Sequence, residues 1–377
     1  MTQSNQQIYQ RELAGGTLTV TATRDAPLEA LFDIAERRNP KRAFLFVSKV
    51  LGRHIPVAPA VMNQTYRRLA AGIPSDLPEP VLFIGMAETA VGLAAGVFRE
   101  ASKRIAQPVF LTSTRHPVDG DLLCEFKEDH SHATDHLIYR PEDATLRERA
   151  LKARTLVLID DEATTGKTFL NLLQALRDAG LDAVTRVVTV TLTDWSGDTL
   201  SQHCPLPVDV VSLVKGSWNW TPRANAPVPV MPSVNVTARG SAPLSPRQDW
   251  GRLGMHETSC NLGTALRSEP GEKILVIGSG EFVWQPFLLA ERLESDGAEV
   301  RYGSLTRSPI AAGMAIESII AFTDNYGLGI PNFIYNVAHQ RFDRIIVCVE
   351  TPTDSVCPQL VTQLRNVAPR VEVISYE

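Results

Sequence analysis

Short apolar runs alternate with amphipathic stretches along the chain, and this rhythm breaks once, near residue 222. Residues 17–21 alternate polar and apolar side chains, as an edge strand does. Residues 27–38 place Leu28, Leu31, Phe32 and Ala35 on one helical face, with Pro27 suited to a first turn. The continuous apolar run 43–47 predicts a buried strand that leads into the basic turn SKVLGRHIP. A helix is expected over 61–71, a buried strand over 80–84, a small-residue helix (AVGLAAGVFREA) after it, and a strand over 108–111. Residues 112–139 carry too little periodicity for a packed element and predict a long polar loop. A strand over 154–159, a helix over 169–179 ended by Gly180, and strands over 184–192 and 208–214 complete this half.

Strands alternating with helices predict an α/β fold with a parallel sheet and right-handed connections. Prolines, serines, glycines and asparagines then cluster from 222 to 270, where buried-strand patterns vanish. A second α/β unit follows, with strands expected over 273–277, 299–302, 344–349 and 371–375 and a first helix over 287–294. The expected organisation is a parallel-sheet domain over 1–221, a connector or clasp over 222–270, and a smaller Rossmann-like α/β domain over 271–377.

The length of 377 residues suits two domains. A net charge of -5 without blocks of like charge argues against a dedicated nucleic-acid binder. The polar N-terminus lacks a signal-peptide pattern, and no apolar run is long enough to cross a bilayer. The five cysteines have no zinc-ligand spacing and read as reduced thiols, so a cytoplasmic protein is expected.

The run LVLIDDEATTGKT at 156–168 carries the clearest chemistry. An apolar strand delivers Asp160 and Asp161 to its carboxyl end, where ligands bind in parallel sheets. A Thr/Gly loop then opens a helix whose N-terminal N–H groups favour a phosphate. Thr164, Thr165 and Thr168 add hydroxyl donors, Gly166 permits close backbone approach, and Lys167 stands beside them. The paired carboxylates suit vicinal ribose hydroxyls and the water shell of a magnesium ion. GKT also ends like a Walker A loop, but the glycine that motif needs five residues before Gly166 is an aspartate. A purely structural Asp/Thr turn uses the same residue types.

This segment resembles the signature of the type I phosphoribosyltransferases: an apolar strand, two acids and a Thr/Gly-rich phosphate loop. It departs from that pattern at Glu162, where the family usually has an apolar or small residue. The resemblance implies a phosphoribosyltransferase-like fold for the first domain and Mg2+ as cofactor. It also implies a ribose-phosphate loop at Thr164, Thr165, Gly166, Lys167 and Thr168, with Asp160 and Asp161 catalytic and metal-binding, directly or through water. The turn holding Ala87, Glu88 and Thr89 then takes the place of a pyrophosphate loop, although Glu88 reads equally as a helix cap. Lys49 and Arg53, with Ser48 and His54, add cationic charge or form a solvated turn. The 112–139 segment corresponds to a mobile lid with Arg115 and Lys127 for charge stabilisation and His130 or His132 for acid/base chemistry. Its histidines lack a standard spacing for a transition metal, and a solvated loop is the plain alternative. Trp218 and Trp220 in KGSWNW stand where a hood would stack on a base, or where ordinary core tryptophans would sit.

In the later half, GSGE at 278–281 lacks the third glycine of a dinucleotide fingerprint. Thr306, Arg307 and Ser308 suit an anion, or else mark a helix N-cap beside an arginine. The Thr306–Pro309 tetrad, with DNYG at 324–327, Tyr335-Asn336 and Glu350-Thr351-Pro352, resembles the TRSP domain. That domain follows a phosphoribosyltransferase-like domain in bacterial proteins of tellurite-resistance and stress gene clusters. EDHSHAT at 128–134 fits the same subfamily. The resemblance implies ribosyl-phosphate transfer from phosphoribosyl diphosphate to a nitrogenous base or related acceptor, in nucleotide metabolism. The implied partners are small-molecule substrates, with no membrane or nucleic acid, and a homodimer left open. The alternative is a weakly active or inactive sensor of phosphoribosyl diphosphate or a nucleotide.

Overall fold

The computed structural model describes all residues except 1–5, 24, 38–41, 128–134, 227–231, 233, 235, 245–249, 256–260 and 377. The chain opens with an antiparallel hairpin, β1 (Gln6–Leu13) and β2 (Gly16–Thr23). β2 is not an edge strand as expected; β1 lies on one side and the end of a later strand on the other. Its inward residues Leu18 and Val20 are fully buried. α1 (Leu28–Leu31) is one turn only, and β3 (Phe32–Glu36) pairs antiparallel with β4 (Phe44–Ser48). The helix expected over 27–38 is thus a turn and a strand. The short apolar segment fits either period, and pairing Ile34 with Phe46 buries both rows against the core.

Next come α2 (Pro59–Gly72), β5 (Val81–Gly85), α3 (Val91–Ala101) and β6 (Pro108–Thr112), close to the expected bounds. The segment expected as a structureless loop contains instead a hairpin, β7 (Leu122–Lys127) and β8 (Asp135–Tyr139). Phe126 and Ile138 are buried on one face of it and Leu137 on the other, a pattern masked in the sequence by interleaved acids and histidines. After α4 (Ala144–Leu151) follow β9 (Thr155–Ile159), β10 (Glu162–Ala163), α5 (Lys167–Asp178), β11 (Arg186–Asp194), α6 (Thr199–His203) and β12 (Val208–Pro222).

The larger sheet runs β1-β2-β12-β11-β9-β5-β6, with β10 beside β11. It is parallel from β12 to β6, and its central strands β5 and β9 are near-continuous apolar runs, buried at every position. β12 is far longer than expected. Its first part pairs parallel with β11 and its last part antiparallel with β2, which brings Trp218 opposite Val20.

Residues 223–272 contribute no helix or named strand among those described. Beyond them lie β13 (Lys273–Ser279), α7 (Trp284–Ser295), β14 (Glu299–Leu305), the hairpin β15 (Ile319–Thr323) and β16 (Pro331–Tyr335), β17 (Arg344–Val349), α8 (Pro358–Leu364) and β18 (Arg370–Ser375). A parallel sheet ordered β14-β13-β17-β18 forms the centre of this half. The hairpin and α8 carry no clear period in the sequence. No described helix is long and apolar enough to cross a membrane.

The halves share one core. Tyr66 of α2 meets Trp284 and Phe287 of α7 edge-on, and Val57 bridges to Tyr302 of β14. This packing aims the carboxyl ends of β5, β6 and β9 and the segment after β14 at a common cleft.

Candidate active site

The cleft has a volume of about 460 Å3. Its floor is the β9–α5 segment: Asp160 and Asp161, then Thr164, Thr165, Gly166 and Thr168. Gly166 precedes α5 at φ 75°, a conformation that glycine adopts without a Cβ penalty. The first N–H groups of α5 have no intrahelical acceptors, so this end of the cleft is built for an anion. Asp160 Oδ1 accepts from the Asp161 N–H at 2.9 Å, which sets the orientation of the first carboxylate. Lost hydration, and then the nearby Glu162 carboxylate, push Asp161 up to about 6. A carboxylate held in that state favours a cation or hydroxyl donors in front of it.

Glu162 does not stand unpaired. Arg42 grips it with two hydrogen bonds, at 2.8 and 3.2 Å, and the guanidinium lies over Phe44, Phe46 and Trp218. Arg42 sits at the mouth of β4 and no periodic signal in the sequence marks it.

The second wall is the turn after β5. Ala87 N–H donates to Ser113 Oγ at 2.9 Å, and Ser113 Oγ bonds His136 Nδ1 at 2.9 Å, so β6 and β8 brace the turn. The Ala87–Glu88 peptide is cis. Glu88 does not cap α3, whose N-cap is Ala90 without a side-chain bond. Its carboxylate instead lies between two arginines: Arg53 Nη2 donates to Oε1, and Arg307 Nε reaches Oε2 at 3.0 Å. Arg53 also donates to Gly280 O at 2.8 Å and Ser304 Oγ at 3.2 Å. Arg307 donates to Val236 O at 2.9 Å.

Arg115 is placed by the second half of the chain. Glu281 accepts from the Arg115 N–H at 2.7 Å and from Thr114 Oγ1 at 2.6 Å. Arg252 in turn spans Glu281, at 2.9 and 3.1 Å, and Glu350, at 2.7 and 2.9 Å. Tyr326 Oη donates to Glu350 at 2.8 Å. In the sequence Glu281 merely ends a glycine turn, and Arg252 lies in a stretch with no pattern; only the fold brings them together.

His54 and His116 are buried beside the cleft. Burial first, then Arg53 and Arg37, push His54 down to about 3. Burial also lowers His116 to about 3, aided by Arg252, Arg307 and Arg115 and opposed by Glu281. A folded pKa below the unfolded value near 6.5 means stability that is full above that pH and lost as pH falls towards 3. Asp161, raised, works in the opposite sense. The net expectation is a loss of about 2 kcal/mol between roughly pH 7 and pH 5.5. Urea unfolding at the two pH values checks this, and an unchanged midpoint contradicts it.

Of the expected site residues, Asp160, Asp161, Thr164, Thr165, Gly166, Thr168, Ala87, Glu88, Thr89, Arg53, Arg115 and Trp218 all line the cleft. Thr306, Arg307 and Ser308 line the same cleft rather than a separate anion site. No helix begins there, so the N-cap alternative fails; Thr306 Oγ1 accepts from the Ser308 N–H at 3.1 Å within an irregular segment. Lys49 points away, donating to Glu29 O at 2.9 Å. Lys167 is exposed, and Trp220 packs on Phe44 outside the cleft. Lys127 is exposed at the end of β7. His130 and His132 lie outside the described residues. No group of three or more metal-ligating side chains occurs among the described residues.

Residues 31–217 match the model of a phosphoribosyl transferase family, and residues 251–364 match the TRSP domain found C-terminal to it. The chain belongs to the family that joins these two domains. The TRSP domain therefore supplies Thr306, Arg307 and Ser308 to a cleft whose floor belongs to the phosphoribosyl transferase domain. Solved structures with a similar fold include adenine phosphoribosyltransferase from Rhodothermus marinus, at 16% identity, TM-score 0.33, covering 49% of this chain and 94% of that one. Adenine phosphoribosyltransferase from Trypanosoma brucei, in complex with AMP, pyrophosphate and ribose-5-phosphate, matches at 15% identity, TM-score 0.35, covering 54% and 86%. Orotate phosphoribosyltransferase from Aeropyrum pernix matches at 16% identity, TM-score 0.29, covering 46% and 80%. The likeness is one of fold alone. Comparison with curated proteins finds no match.

Proposed function

We propose that the cleft binds phosphoribosyl diphosphate and transfers its ribose 5-phosphate to a nitrogen nucleophile, releasing pyrophosphate. The observation that carries this reading is the convergence of the Asp160–Thr168 loop and the Ala87–Thr89 turn on one cleft. The 5-phosphate sits on the N-terminus of α5 with the threonine hydroxyls. Asp160 and Asp161 accept from the ribose hydroxyls and face the positive charge that develops on the sugar. The C1′–oxygen bond breaks, its electron pair leaves with the diphosphate, and the acceptor nitrogen bonds C1′. Arg115 and the 87–89 turn face the departing diphosphate. Leu45, Phe46 and Trp218 offer the apolar wall for a flat acceptor.

Two adjacent carboxylates fit a hydrated magnesium ion, which typically takes one or two protein carboxylates and completes its shell with water and phosphate oxygens. Asp160 and Asp161 are the residues that would hold it. When bound, it neutralises diphosphate charge.

The Arg42–Glu162 pair favours turnover over a purely sensory role, because the extra carboxylate meets a cation rather than the substrate. Arg42→Ala is expected to weaken binding of phosphoribosyl diphosphate about tenfold, and adding Glu162→Gln to recover most of that loss. A double-mutant cycle by calorimetry checks this, and additive losses contradict it. The function itself is tested by pyrophosphate release across a panel of purine, pyrimidine and pyridine bases. Stoichiometric nucleotide and pyrophosphate with any one base supports transfer. Binding of phosphoribosyl diphosphate without release for every base points to a sensor.

A further inference from the structure

Glu88 sits where the proposed diphosphate must go, and it is itself an anion. Only 9% exposed, it is held by two buried arginines that both line the cleft. One, Arg53, comes from the phosphoribosyl transferase domain, and the other, Arg307, from the TRSP domain. Each is anchored independently of Glu88. Arg53 donates Nη1 to Gly280 O and Ser304 Oγ, and Arg307 donates Nη1 to Val236 O. Arg53 Nε is buried with no hydrogen-bond partner among the described residues, so this guanidinium has donor capacity that Glu88 leaves unused.

We propose that Glu88 is a built-in anion holding the cation cradle of Arg53 and Arg307 in the empty cleft, and that an incoming diphosphate displaces it. The proposal rests on the phosphoribosyl diphosphate reading of the cleft and adds a TRSP-domain arginine to the diphosphate's ligands. Two buried guanidinium groups without a counter-ion carry a large desolvation cost, so an internal carboxylate keeps the empty site folded. A carboxylate offers one charge and two oxygens. A diphosphate offers several charges and more oxygens, and it can satisfy both forks and the unused Nε–H at once. Displacement follows from that differential affinity, which is the only means by which a ligand shifts such an equilibrium. Smaller anions with a single charge exchange poorly, so Glu88 also acts as a filter for the diphosphate group.

The experiment is a calorimetric titration of inorganic pyrophosphate with magnesium into the full chain and into Glu88→Gln. Removing the competing charge is expected to tighten pyrophosphate binding by about tenfold or more. A merely structural Glu88 gives the opposite sign: unchanged or weaker binding in Glu88→Gln overturns the proposal. Should Glu88→Gln lose its cooperative thermal transition, Arg307→Gln decides instead, because Glu88 keeps Arg53 as partner there. Pyrophosphate affinity in Arg307→Gln is expected to fall at least about tenfold, and an unchanged value overturns the proposal. Ribose 5-phosphate is titrated into the same proteins. Wild-type binding of ribose 5-phosphate without the predicted pyrophosphate shifts removes the exchange alone. Failure of both ligands to bind removes the reading of the cleft and the exchange with it.

Discussion

Arg252→Met is expected to lower the free energy of unfolding by about 3–5 kcal/mol, the usual cost of stripping one partner from a buried ionic network. Glu281 and Glu350 are almost wholly buried; Arg252 takes both oxygens of Glu350 and Oε2 of Glu281, whose Oε1 accepts from the Arg115 N–H. Burial alone would raise the Glu281 carboxyl. Arg252 leads the opposing influences, followed by His116, the Thr114 hydroxyl and the Arg115 N–H, and together they hold it at about 2. A carboxyl depressed in this way adds stability above its unfolded pKa near 4.5, and loses it as pH falls through about 2. Without Arg252 the same carboxylates become the penalty. Urea unfolding measures the effect as a lower midpoint at unchanged slope. Adding Glu281→Gln and Glu350→Gln to Arg252→Met should recover a large part of the loss, since the network's value lies in not being broken halfway. A loss below about 1 kcal/mol for Arg252→Met contradicts this account.

That network also shows what sequence can and cannot reveal. The apolar strands β5, β9 and β13 are legible because burial on both faces leaves an unbroken hydrophobic run. Asp160 to Thr168 is legible for a related reason: strand, acids and phosphate loop are contiguous. The TRSP tetrad is legible as a string, but not its position on the wall of the other domain's cleft. Arg42, Arg252 and Glu281 are illegible because their partners lie far away in the chain, and long-range pairing leaves no local period. β4 is legible as an apolar run, but its partner β3 and the β7–β8 hairpin are obscured by short length and interleaved polar residues, where helix, strand and loop patterns overlap. In each case the decisive energy comes from tertiary pairing.

Asp161→Asn is expected to reduce pyrophosphate release about a hundredfold with the productive base, the scale of losing one preorganised charge aimed at the transition state. The substitution keeps the size of the side chain and removes the charge that the cleft maintains at a cost, as the upward shift to about 6 records. It also relieves repulsion with Glu162, so the folded protein should not lose stability. The expected signature is lost turnover in a protein whose unfolding midpoint is unchanged or higher. Turnover within about threefold of wild type contradicts the assigned role.

The most direct test of the central claim is a calorimetric titration of phosphoribosyl diphosphate with magnesium into the full chain. Saturable binding at one site per chain is expected, competed by ribose 5-phosphate and weakened at least about tenfold in Asp161→Asn. Absence of saturable binding, or equal affinity in wild type and Asp161→Asn, contradicts the account.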